Sequence, residues 1–149
     1  MKSYGLPFSC FLLILVAVIA LACGSPVSHI APSCSSAPTV TNPGMPQSII
    51  VCPAAADAED YPDGQVQFIA IGTYSTSPSP ATPPKTFWGA CNQNAPTSAV
   101  TISSGGVAQC AAGSSGSYTV FASVATLCNV ITACGGGCQV SGYAKLTCP

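Results

Sequence analysis

The chain predicts an all-β domain, a sandwich of about seven short strands braced by disulfides. Three observations carry this expectation. From residue 47 to residue 149 apolar residues recur with a period of two, and no helical period is found after residue 22. Gly, Pro, Asn and Ser break that stretch at short intervals, each suited to a turn. Cys34, Cys52, Cys91, Cys110, Cys128, Cys134, Cys138 and Cys148 form an even set, which in an oxidising compartment pairs into four disulfides.

The N-terminus is of another kind. Lys2 precedes an apolar run at residues 11 to 22, Phe-Leu-Leu-Ile-Leu-Val-Ala-Val-Ile-Ala-Leu-Ala. A basic start, an apolar stretch of this length and small residues at its end make residues 1–22 an export signal. The run is too short for a spanning helix, which needs about 20 apolar residues. Ala20-Leu21-Ala22-Cys23 resembles the lipobox of bacterial lipoproteins, with Ala20 where that motif commonly has Leu. The resemblance implies that Cys23 receives a lipid, becomes the mature N-terminus and holds the chain to the bacterial cell envelope. Gly24, rather than Asp, is compatible with transport to an outer membrane. Ordinary cleavage after Ala22 is the alternative and would give a secreted protein with Cys23 as an odd thiol. Parity favours the lipid, because Cys10 leaves with the signal.

The elements follow in order. Residues 23–46 are a lipid-anchored tether, rich in Pro and Ser and without periodicity. Residues 47 to 53 carry the β-branched run Ile49-Ile50-Val51, ended by proline. Residues 65 to 74 alternate, with Val66, Phe68, Ala70, Gly72 and Tyr74 on one face. Four prolines make residues 75 to 84 an extended surface loop. Residues 85 to 91 form a strand around Trp88. Residues 99 to 103 and 107 to 111 are short strands about the turn Ser104-Gly105-Gly106. Residues 116 to 124 place Tyr118, Val120, Ala122 and Val124 on one face, and residues 139 to 148 turn Ala144 and Leu146 inward. The expected core is Phe68, Trp88, Val100, Ile102, Tyr118, Val120 and Leu146.

Charge is scarce. After the signal there are Lys85, Lys145 and no arginine, so the chain lacks the basic footprint a phosphate backbone needs, and no nucleic-acid partner is expected. The acids cluster as Asp57, Glu59, Asp60 and Asp63. They are calcium candidates by ligand type, but the run does not match an EF-hand loop, and solvated edge charges are the simpler reading. Cys128, Cys134 and Cys138 lack the paired spacing of a zinc site, and no cofactor is expected. The only histidine, His29, stands in the tether, about 18 residues before the first strand. A nucleophile needs an adjacent base, so no catalytic residue is assigned and a small hydrolase is the least favoured class. Tyr61, Tyr74, Phe87 and Phe121 would make a sugar-binding platform if exposed, although alternation sends Tyr74 to the core.

The ordered series of motifs resembles the bacterial immunoglobulin-like domains, group 2. The stretch Gly64-Gln65-Val66-Gln67-Phe68-Ile69-Ala70-Ile71-Gly72-Thr73-Tyr74 is similar to that family's second strand, and Trp88 matches its strand-C tryptophan. Residues 99–108, 112–113, 116–122 and 144–147 are similar to the later hairpin, turn and strands. The resemblance covers residues 47–149 and implies an immunoglobulin-like β-sandwich. The eight cysteines and the insert around Cys128 to Cys138 depart from the family, and there is a single copy. The resemblance also implies pairings. The third and fifth strands run alike, which brings Cys91 and Cys110 to one pole and suggests that they bond. Cys128 would then close on Cys138, and Cys34 or Cys52 would take Cys134. The expected function is a structural or surface-binding role without catalysis, with a surface protein or glycan as partner. An unanchored carbohydrate- or protein-binding module is the alternative.

Overall fold

A computed structural model describes residues 34, 35, 37–124, 134 and 137–149. The expected signal peptide, Cys23, His29 and Cys128 lie outside the described residues.

The described residues are mostly strand. In chain order the strands are β1 (Pro46–Cys52), β2 (Ala55–Asp57), β3 (Gln65–Gln67), β4 (Ile69–Tyr74), β5 (Thr86–Asn92), β6 (Ala95–Pro96), β7 (Val100–Ile102), β8 (Val107–Cys110), β9 (Gly116–Val124) and β10 (Ser141–Cys148). Helical structure among them is confined to two three-residue 3-10 turns, Ala58–Asp60 and Pro62–Gly64. Asp57 caps the first by accepting the Glu59 N–H.

The strands form three sheets. One has the order β2-β10-β9-β5-β6, another β3-β8-β7, and β1 pairs with β4 alone. All ladders are antiparallel except β2 with β10, which is parallel. The longest ladder joins β9 and β10, from Ser141 opposite Ser123 to Cys148 opposite Gly116. Tyr118, Val120, Ala122 and Val124 of β9 face the same way as Ala144, Leu146 and Cys148 of β10; β10 alternates, whereas β9 is buried on both faces from Val120 to Val124, where Phe121 and Ser123 are covered too. β1, β3, β4, β5, β7 and β8 add Ile49, Val51, Val66, Ala70, Ala90, Val100 and Ala108 to that core, and Phe68 joins them from between β3 and β4.

The expected strand at residues 65 to 74 is two strands. It pairs with β8 as far as Gln67 and with β1 from Ile69 onward. Phe68 stands at the hand-over, and its N–H donates to the Gly106 carbonyl at 2.9 Å. Gly106 has φ +83, and a Cβ there would collide with the Phe68 carbonyl and press on the Trp88 ring. The turn at residues 103–106 therefore needs glycine at that position.

Two other expectations change. Trp88 and Ile102 pack against the core but are only partly buried. The register explains Trp88: it lies opposite Ala122 and faces inward, but beside the hand-over, where the facing strands part. The proline segment is also less free than a plain loop. Gly72 and Ala81 exchange backbone hydrogen bonds, the Tyr74 N–H donates to Ser79 Oγ at 3.0 Å, and Ala81 and Pro83 are buried.

Three disulfides join pairs of described residues, Cys34–Cys52, Cys91–Cys134 and Cys110–Cys148, with Cα separations of 5.9, 5.8 and 5.9 Å. The expected Cys91–Cys110 bond is incorrect, and the pleat is the reason. Ala90 faces the core, so Cys91 faces the other side of its sheet, opposite the exposed Thr119. Cys110 faces inward with Ala108 and bonds the inward Cys148, tying the three-stranded sheet to the five-stranded one. The expectation that Cys34 or Cys52 would take Cys134 is also corrected, since those two bond to each other. Cys138 is disulfide-bonded, and its expected partner Cys128 lies outside the described residues.

Tyr74 is buried, and its hydroxyl has no hydrogen-bond partner among the described residues. Burial penalises the phenolate and raises its pKa above the ordinary 10.0. A folded-state pKa above the unfolded value means the folded chain holds its proton longer. Its stability should therefore fall as pH rises through and above the unfolded value, about 10. Tyr74→Phe removes an unpaired buried hydroxyl and should raise stability by up to about 1 kcal/mol. Denaturation of both chains at about pH 8 and about pH 11 checks this: the gap should widen at the higher pH, and a constant gap would contradict it.

Candidate functional site

Two surface concavities stand out. The first, about 310 Å³, is lined by Glu59, Tyr61, Asp63, Gly64 and residues 109–114 with Pro149. It takes in part of the acidic run. The chain there turns sharply, with Asp63 at φ 57 and Gly64 at φ 65. The four acids are not gathered about one point. Asp57 is occupied with the Glu59 N–H, and among the described residues no three His, Cys, Asp or Glu side chains are placed to hold a metal ion.

The second concavity, about 280 Å³, arises from the hand-over at Phe68. Where the chain leaves β8 for β1, the sheets separate. The opening is lined by residues 67–70 on the switching strand, 82–84 of the proline segment, Thr86 and Trp88 of β5, and Ser104 and Gly105 of the turn. Each wall is held. Gln67 Nε2 donates to the Phe68 and Gly105 carbonyls at 2.7 and 2.8 Å, pinning the turn to the strand. Thr82 is fixed by its N–H to the Pro38 carbonyl at 2.9 Å and its Oγ1 to the Ala37 carbonyl at 2.8 Å. No lining residue carries a formal charge. Among the described residues none accepts the Trp88 indole N–H or bonds the Thr86 and Ser104 side chains.

The expected aromatic platform is not assembled. Phe87 and Phe121 meet with centroids 5.8 Å apart, tilted at 47°, but Phe121 is buried. Tyr74 is in the interior, and Tyr61 lines the other concavity. The sequence places Trp88 in the core and gives no groove beside it. The groove's signal in the sequence is a lone tryptophan in a strand followed, further along the chain, by Ser104-Gly105-Gly106; the partner change at Phe68 leaves none. No protein-family model matches the chain, and no curated protein is significantly similar to it.

Proposed function

We propose that this chain is a lipoprotein of the bacterial cell envelope, anchored through Cys23, whose single immunoglobulin-like domain has a structural or surface-binding role without catalysis. The strand order carries the domain part of this reading. In immunoglobulin constant-type domains one sheet runs A-B-E-D and the other C-F-G, with C′ joining the latter in variable types. Here β1, then β4 with β3, then β8, then β7 follow the first order, and β10-β9-β5-β6 follows G-F-C-C′. In this reading the seven strands of the sandwich are β1, the pair β3 and β4, β5, β7, β8, β9 and β10. The short β2, parallel to β10 at the sheet edge, is an addition. Export is supported by the disulfides, which persist in oxidising compartments. The anchor rests on the Ala-Leu-Ala-Cys motif at residues 20–23.

The anchor is tested at the mature N-terminus. Intact mass measurement of protein extracted from membranes should find a diacylated or triacylated Cys23, and Cys23→Ser should move the protein to the soluble fraction. An unmodified N-terminal Cys23 in the wild-type protein would overturn the lipoprotein reading and leave a secreted module.

A further inference from the structure

We propose that the groove beside Trp88 is a binding site for a neutral glycan, with one sugar ring stacked on the indole. Nothing in the anchoring or structural role requires this groove, and its chemistry points to a particular class of ligand. Binding sites are concave and largely apolar, with a few fixed polar groups that orient the ligand. Here the apolar part is the Trp88 ring with Ile69 and Pro83 and Pro84. The polar part is the indole N–H and the Thr86 and Ser104 hydroxyls, which no described residue occupies. Tryptophan joins a flat apolar face to a donor at its edge, which matches a sugar ring with its C–H face and peripheral hydroxyls.

Charge selects among ligands. The lining itself is uncharged and the exposed Lys85 between Pro84 and Thr86 is the one cation beside it in the chain, so a phosphate, a carboxylated sugar or an acidic peptide would find little counter-charge to replace its lost hydration. A proline-rich peptide is neutral, but grooves that hold one are lined by several aromatic rings. This groove has one, since Phe68 is fully buried. A ring with several hydroxyls is the better match for one indole face and three separate polar groups. The walls are also preset: the Gln67 and Thr82 hydrogen bonds hold both sides in place, so little ordering opposes binding.

Trp88 is the only tryptophan, so its fluorescence reports on the groove alone. The oxidised exported chain is titrated with cellohexaose, maltohexaose, mannohexaose and chitohexaose, each to millimolar concentration. The proposal expects a saturable change in Trp88 emission with at least one of them. Calorimetry with that sugar should then show Trp88→Phe and Thr86→Val each weakening binding about tenfold or more, while unchanged circular dichroism shows that the variants remain folded. Tyr143→Ala, an exposed aromatic outside the groove lining, should leave the affinity unchanged. No response to any of the four sugars would overturn the proposal. So would a response that survives both groove substitutions, or saturable binding of octaproline with none of a sugar.

Discussion

Reduction of the disulfides is expected to unfold this domain at ambient temperature. Cys34–Cys52, Cys91–Cys134 and Cys110–Cys148 span 18, 43 and 38 residues. Restricting the unfolded chain over loops of these lengths contributes about 3–4 kcal/mol per bond in the chain-entropy account. A domain of this size has about 5–15 kcal/mol of stability in all, so losing three such terms removes most of it. The core offers little to offset the loss, because many of its positions are small: Ala58, Ala70, Ala90, Ala108, Ala122 and Ala144. Cys110–Cys148 should matter more than Cys34–Cys52, because it closes a longer loop and joins two sheets across the core, whereas Cys34–Cys52 ties a preceding segment to the end of β1. Thermal melts of the Cys110→Ser/Cys148→Ser and Cys34→Ser/Cys52→Ser proteins check the ranking. A larger loss of stability for the second pair would contradict it.

Phe68→Ala should cost about 3–5 kcal/mol, the most of any single core truncation. Phe68 is the largest fully buried side chain, and it sits where one strand passes from one partner to another. Truncation removes the packing on which both pairings meet. Urea denaturation should show a lowered midpoint with an unchanged slope, which marks a change in stability rather than in compactness. Ile50→Ala is the control. Ile50 is 59% exposed on β1, and its removal should fall within about 0.5 kcal/mol of neutral. A Phe68→Ala loss no larger than that of Ile50→Ala would overturn the assignment of Phe68 to the centre of the core.

The two-residue period was enough to read much of this fold. It correctly turned Phe68, Val100, Tyr118, Val120 and Leu146 inward, because alternation is a local property of each strand. It also held the information that separates Cys91 from Cys110, since Ala90 and Ala108 face the core and fix the direction of their neighbours. Strand direction sets only a cysteine's height along the sheets; the face its side chain takes also decides its partner. Other features have no local signal. Pairing of residues 65–67 with β8 and of 69–74 with β1 depends on which strands arrive from elsewhere in the chain. The parallel pairing of Ala55–Asp57 with β10 joins segments about 90 residues apart, and a three-residue strand has too little pattern to announce itself. The groove inherits this. It exists because of the hand-over at Phe68, so Trp88 read in isolation looks like an ordinary core residue.

Peptide mapping of the non-reduced protein tests most directly the proposal of an exported, disulfide-braced domain. Digestion under conditions that prevent thiol exchange, followed by mass spectrometry, should recover linked peptides containing Cys34 with Cys52, Cys91 with Cys134, and Cys110 with Cys148. A Cys91–Cys110 peptide would contradict the packing of the two sheets, and free thiols at these six positions would contradict export to an oxidising compartment.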